Sequence, residues 1–506
     1  MRKKNSIFNM LGSLGSYLFA TIFTFITQAC IVRILGIEYS GVNGLFTNIL
    51  TMLSVAELGI GTTIIFKLYK PIAEDNKEEI KSWMNFYKIC YRCVALVITI
   101  IGVIIIPIVP TIVGEVAIPE SIIFLYLISL LDTILSYVMT YKRSLLYADQ
   151  KNYIVNIVHM GYTIFMNITQ IILLAIFKNY VVFLAIKLVY RLLENIIINI
   201  YVNKHHPYIN EPAKKLESQE RKDVINRIKA IFLQKISFVV NKGIDNIVLS
   251  IFLGITVVGY YTNYNMIVSA ITTIIYQILS SLTASVGNLL TENNTEKSYD
   301  IYKKINMLNS FITGIFIVGF TCAIQPFITL WVGKEYLLSN FTIWIFAFYI
   351  YSDSIRRAIT MYKEAAGICK EDQFMYVIMA IINLVTSIIL CKIIGVAGVI
   401  LGTAMSYLFL IIYSYPKYIY KPIFHKSYRE YYRENVKYFV YIVIATVLSA
   451  VICNTITIGS SLWQFICNGV IAVSIAMILF IILFGRSKEF RYYIEMLKEV
   501  KARIIK

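Results

Sequence analysis

The chain has 506 residues, 58% of them hydrophobic, and a mean hydropathy of +0.70. Soluble domains hold about 45–50% apolar residues, so a water-soluble fold is excluded and an all-α integral membrane protein is expected. The net charge of +18 would suggest nucleic acid in a soluble protein; here it belongs to the inner-side excess of Lys and Arg, and no nucleic-acid partner is expected.

A crossing helix needs roughly 20 mostly apolar residues. Segments of that kind run from end to end, about fourteen in all, near 9–33, 41–66, 84–108, 120–141, 153–177, 181–203, 230–253, 257–288, 306–331, 340–362, 373–394, 398–420, 437–457 and 462–484. Blocks of this length exclude a barrel of ~10-residue alternating strands. The opening MRKKNSIFNMLGSLGSYLF joins a basic head to an apolar run too long for a cleaved signal, and reads as the first span. With both termini on the cytoplasmic side, the outer connections and span ends carry Arg33, Lys178, Lys334 and Lys392. Lys88, Arg92, Lys187, Arg191, Lys235 and Lys242 fall within spans, and the other cations lie inside.

Eight cysteines are scattered, mostly within spans, with no disulfide framework. Cys90 and Cys93 form a CxxC on an apolar helix without a second pair or nearby histidines, so neither a metal nor a cofactor is expected. The longest polar stretches are near 204–229, 421–437 and 486–506. The last puts Phe490, Ile494, Leu497 and Ile504 on one helical face among charges, a pattern suited to the inner membrane surface.

LGIEYSG (35–41) follows the first span and LGITVVG (253–259) follows the seventh. This weak internal symmetry suggests two six-helix halves, a common transporter plan. The expected organisation is an N-terminal lobe over 1–204, a cytoplasmic linker over 205–229, a C-terminal lobe over 230–421, and two appended helices with an amphipathic tail over 422–506.

A Lys, Arg or Asp at mid-bilayer costs about 2.5–3.5 kcal/mol on insertion scales, against about 0.3–0.6 gained per Leu, Ile, Phe or Val. Span 7 carries Lys235, Lys242 and Asp245, a cost of roughly 8–10 kcal/mol that its apolar residues only just return. These side chains should therefore face protein or a wet cavity. Span 6 repeats the design with Lys187, Arg191 and Glu194 at i, i+4 and i+7. Span 1 carries an uncharged polar stripe that includes Gln28. Asp132 lies in span 4, Glu57 in span 2, and Asp353 in span 10 just before Arg356 and Arg357. Lys242–Asp245 and Arg191–Glu194 could neutralise each other as i,i+3 pairs. Yet spans 6 and 7 hold more cations than acids, and surplus positive charge attracts an anion. Arg191 suits bidentate phosphate and the lysines act as point charges. His159 is a lone histidine in span 5, read as a hydrogen-bonded packing residue rather than a proton relay.

RILGIEYSGVNGLF (33–46), AELGIGTTIIFKLYKPIAEDN (56–76), KRSLLYADQKNYIVNIV (142–158), GIDNIVLSIFLGITVVGYYTNYNMI (243–267) and EAAGICKEDQF (364–374) stand in the order found in bacterial polysaccharide flippases. The chain resembles the O-antigen and capsule repeat-unit branch of the multidrug/oligosaccharidyl-lipid/polysaccharide exporter superfamily. That resemblance implies a V-shaped pair of six-helix lobes and alternating access. The cargo would be an undecaprenyl-pyrophosphate-linked oligosaccharide, turned from the inner to the outer leaflet of the bacterial cytoplasmic membrane for cell-surface polysaccharide synthesis. Relatives commonly carry cations in the central cavity. Lys187, Arg191, Lys235 and Lys242 suit that role, with Arg33, Asn241 and Gln28 as further contacts to pyrophosphate or sugar. Relatives that move peptidoglycan precursor keep arginines inside span 1, where this chain has polar neutrals. Asp245, Glu194, Asp132, Glu57 and Asp353 are the candidates to bind a coupling proton or sodium ion. Membrane lipids and a polysaccharide polymerase are the further partners implied. The rival readings are an organic-cation antiporter on the same fold, and a membrane-embedded polymerase or glycosyltransferase, against which the short outer connections argue.

Overall fold

Backbone amides inside a bilayer must be paired within the protein, and a helix pairs them within one segment. The computed structural model describes residues 20–504 apart from 58–59, 139, 215, 293 and 369–370, and every regular element among them is helical. The first expected span is thus described only from Ala20.

The chain divides into two compact units, Met1–Asn263 and Tyr264–Lys506. The first holds α1 (Ala20–Ile34), α2 (Ile37–Leu53), α3 (Ile60–Ala73), α4 (Lys77–Ile105), α5 (Val109–Val113), α6 (Ile122–Val138), α7 (Thr140–Ala148), α8 (Asn152–Phe177), α9 (Tyr180–His205), α10 (Ser218–Leu253) and the start of α11 (Ile255–Ser280). The second holds the rest of α11, then α12 (Thr283–Thr291), α13 (Thr295–Trp331), α14 (Asn340–Ile355), α15 (Arg357–Ala366), α16 (Gln373–Ile394), α17 (Val396–Phe409), α18 (Lys421–Phe424), α19 (Tyr428–Thr455), α20 (Ser461–Phe484) and α21 (Lys488–Ile504).

Among the described residues, seven helices are long and apolar enough to cross a membrane, or nine if each of two bent pairs counts as one span. The other expected spans fall on helices that are short, such as α14 with 16 residues, or charged, such as α9. The segment expected as a linker is a 3-10 turn over Pro207–Asn210, a short irregular stretch and the first turns of α10, which continues for 36 residues through the seventh expected span.

The two repeated motifs occupy equivalent places. Gly36 and Gly254 adopt φ of +117° and +88° just before α2 and α11, where a side chain would be strained. The last glycine of each motif then presses on the other motif. A Cβ on Gly41 would lie 2.2 Å from the Ile255 carbonyl oxygen, and one on Gly259 would lie 2.5 Å from the Ile37 carbonyl oxygen. The contact is reciprocal, as in a two-fold related pair of patches. A repeat visible in seven residues is thus a close backbone approach that only glycine permits.

Helix α9, which carries the charged stripe of span 6, packs between α6 and α8. Its start is set by Asn179, whose side chain accepts from the Val182 N–H at 3.1 Å. In the second unit, Phe490 and Ile494 of α21 face Met307, Phe311 and Phe480 of α13 and α20; the side chains of Leu497 and Ile504, expected on the same face, lie outside the described residues.

Candidate functional site

The i, i+4, i+7 spacing of α9 places Lys187, Arg191 and Glu194 along one face, and α6 presents Asp132 to it. Lys187 Nζ lies 3.1 Å from Asp132 Oδ2. Arg191 donates from Nε to Asp132 Oδ1 at 3.2 Å and from Nη1 to Glu194 Oε2 at 3.1 Å. Arg143, from α7, reaches the same Glu194 oxygen at 3.1 Å and donates to Asn195 Oδ1 at 3.0 Å. On the opposite side, His159 Nδ1 of α8 stands 2.9 Å from Glu194 Oε1. The Tyr162 ring stacks on His159 and lies 5.1 Å beneath the Arg191 guanidinium.

Three cations therefore meet two carboxylates in one cluster within the first unit. Accessibility grades across it. The Glu194 side chain is 0% exposed and Asp132 is 9% exposed, whereas Lys187 is 36% exposed. Glu194 is an anchor with partners on three sides, Arg191 bridges both acids, and Lys187 is the most exposed of the three cations. With water partly excluded, the odd positive charge acts at lower effective dielectric than it would in bulk solvent. Such a cluster can receive an anion at Lys187, where it would compete with Asp132 for the ammonium.

Four of the residues singled out in the sequence come together here: Lys187, Arg191, Asp132 and Glu194. The others lie elsewhere. Gln28 is buried and donates to Ser40 Oγ at 2.6 Å and Asn263 Oδ1 at 2.7 Å. Asp245 is buried and accepts from the Tyr261 hydroxyl at 3.2 Å. Glu57 accepts from the Tyr91 hydroxyl, which in turn receives a hydrogen bond from Tyr87. Arg33 is exposed on the last turn of α1. Asp353, in the second unit, is held by Arg356 and Arg357. Lys235, Asn241 and Lys242 lie on α10, and their side chains fall outside the described residues.

Sequence reasoning missed Arg143 and undervalued His159. Arg143 sits in KRSLLYADQ, whose cations were assigned to an inner connection. No spacing in the sequence marks it; its neighbour Lys142 also turns to α9, donating to Asn199 and, at 2.6 Å, to Asn203. His159 is hydrogen-bonded, as read, but to a carboxylate of the cluster, and its side chain is half exposed.

No curated protein matches the chain. Among solved structures, it is similar to the lipid II flippase MurJ in an inward closed conformation: 13% identity, TM-score 0.70, covering 95% of this chain and 99% of that one. It is also similar to an inward-facing multidrug resistance MATE family transporter of the MOP superfamily, at 13% identity, TM-score 0.60, and 79% and 94% coverage. A Vibrio cholerae MATE transporter aligns at 11% identity, TM-score 0.52, and 80% and 93% coverage. These likenesses establish the fold. The profile of the family described as polysaccharide biosynthesis protein matches residues 3–283. That stretch is more than half of the chain and includes the whole of the charged cluster. The chain therefore belongs to the polysaccharide biosynthesis protein family and shares the fold of the MurJ and MATE transporter structures.

Proposed function

We propose that this protein flips an undecaprenyl-pyrophosphate-linked oligosaccharide repeat unit from the inner to the outer leaflet of the cytoplasmic membrane by alternating access. Both termini are cytoplasmic in this reading, and the N- and C-terminal lobes are the two six-helix halves read from the repeat. The head group of such a lipid cannot cross hydrocarbon alone, because its hydroxyls and phosphates would lose their hydrogen bonds. The observation that carries the reading is the odd cation count around Asp132 and Glu194, with Lys187 the most exposed. Lys187 makes the first contact with pyrophosphate, and Arg191 and Arg143 supply the field behind it. Lys235 and Lys242 add charge from α10, and Arg33 and Asn241 are further contacts; Gln28, buried against Ser40 and Asn263, would reach the cargo only if those hydrogen bonds opened. The family's role in polysaccharide synthesis and the fold shared with a lipid II flippase support a lipid-linked glycan as cargo.

Asp132 and Glu194 each hold cations that an incoming phosphate would compete for, so either is placed to take up a proton as the cargo binds. Glu57, Asp245 and Asp353 remain candidates for the coupling ion, proton or sodium, and a polymerase is the expected recipient of the product. An organic-cation antiporter would present Glu57, Asp132 and Asp245 and shield the lysines; against it, Asp132 and Asp245 are buried while Lys187 is the most exposed cation of the cluster. The test is translocation of a lipid-linked glycan in proteoliposomes. Lys187→Ala and Lys242→Ala should each lower the rate by about tenfold or more, a loss of ~1.4 kcal/mol or greater in transition-state stabilisation. Wild-type rates from a well-inserted double variant would defeat the reading.

A further inference from the structure

One end of the second unit is closed around a polar pocket that the charged cluster does not use. The pocket begins with a proline. Pro326, inside α13, has no N–H to offer the carbonyl four residues back. That carbonyl, of Cys322, instead accepts from Asn468 Nδ2 of α20 at 2.9 Å. Gln464, one turn earlier, donates to Asn468 Oδ1 at 2.9 Å and to the Ile456 carbonyl at 2.8 Å, and accepts from the Ile458 N–H at 2.6 Å. Gln325 donates to the Leu338 carbonyl at 2.7 Å and accepts from the Tyr264 hydroxyl at 2.8 Å. Three amides are thus locked in place by backbone and side-chain partners.

Between the ends of α13, α14, α19 and α20 they leave a cavity of about 350 Å³. Asn340, Asn454 and Trp344 stand at its rim and are exposed. No Lys, Arg, His, Asp or Glu is among its described lining residues. The volume falls near the lower end of the ~300–1,000 Å³ typical of small-ligand sites.

The lining selects by exclusion. An ion would find no counter-charge. An apolar ligand would leave the rim amides desolvated and unpaired. A neutral polyol fits, because each amide offers both donors and an acceptor, as hydroxyls do. The indole of Trp344 suits the C–H face of a sugar ring. The locked amides form a preorganised floor, which lowers the cost of ordering on binding. We propose that this pocket binds a neutral sugar residue. It lies at the end of α13 remote from Lys297, Lys303 and Lys304, which is the outer end by the inner-side distribution of cations. Its use in transport, to hold part of the delivered glycan, rests on the function proposed above; the binding itself does not.

The test is saturation-transfer NMR on the full chain in phospholipid nanodiscs, with maltotriose and chitotriose as neutral probes and trigalacturonate as an anionic one. Transfer to at least one neutral trisaccharide is expected, with little to trigalacturonate. The signal should fall by about fivefold or more in Asn454→Ala and Trp344→Ala. It should persist in Lys187→Ala/Arg191→Ala. If a rim variant loses its monodisperse size-exclusion profile, Asn454→Asp at the same exposed site replaces it, with the same loss expected. Transfer no greater than from empty nanodiscs, equal transfer to the anionic probe, or undiminished transfer from the rim variants would overturn the proposal. Sugar binding that persists while the Lys187 and Arg191 variants translocate at wild-type rates would overturn the flippase reading alone.

Discussion

Each unit of this protein holds a buried carboxylate between two cations, and the two are built differently. In the first unit, Asp132 of α6 meets Lys187 and Arg191 of α9, 55 and 59 residues away in the chain. In the second, Asp353 near the end of α14 meets Arg356 and Arg357, three and four residues on, at the junction with α15. The local cluster is closed: Asp353 and Arg356 are each 3% exposed, and Arg356 lies 4.4 Å from the Tyr407 ring. The cluster across helices is graded and ends in the accessible Lys187. A closed cluster braces the fold. An open one, with a third cation behind it, has charge left for a ligand.

The largest effect should come from the closed cluster. Asp353→Asn leaves two arginines short of their counter-ion, one of them wholly buried, and should cost about 3–5 kcal/mol. A thermal-stability assay on detergent-solubilised protein would report it. Asp132→Asn should cost less, about 1–3 kcal/mol, because Lys187 can hydrate and Arg191 keeps Glu194. Its main effect should be on translocation. If the two variants proved equally destabilising, the distinction between a closed and an open cluster would collapse.

Gly41 calibrates the scale from outside both clusters. Gly41→Ala forces a methyl against the Ile255 carbonyl and should cost about 1–3 kcal/mol. Gly161→Ala, on α8 with nothing within 4 Å of the added carbon, should be neutral or stabilising by up to about 1 kcal/mol. The same thermal assay on both variants decides how tight the reciprocal glycine contact is.

The smallest effect concerns His206, just past the end of α9. Burial, with Lys151 nearby, holds its imidazole below the ordinary histidine value, against the pull of Asp149. The folded protein then binds this proton less readily than the unfolded chain, whose histidines titrate near 6.5. Stability should fall as pH drops below about 6.5, and His206→Asn should flatten that slope in thermal melts across pH 5–7.5. An unchanged slope would remove His206 from the account.

Much of this was legible in the linear chain. The membrane class and the helical character follow from apolar block length, since a bilayer leaves the backbone few other solutions. The pairing of Asp353 with Arg356 and Arg357 is legible for the same kind of reason, because residues three and four apart stay close where the backbone remains near-helical across the α14–α15 junction. So is the stripe of Lys187, Arg191 and Glu194 on α9. The glycine repeat was visible as a string, but that Gly41 and Gly259 each touch the other motif was not.

What the amino-acid sequence determined by itself is everything whose partners lie within a turn or within a block: the apolar helical blocks, the local ion pairs and the charged stripe on α9. Only the tertiary structure decided that Asp132 faces α9, that Arg143 and His159 converge on Glu194, and that the carbonyl freed by Pro326 is taken up by Asn468. Those partners are separated by 35 to 146 residues. Helical periodicity specifies which face a residue occupies, but which face it meets is set by packing between helices.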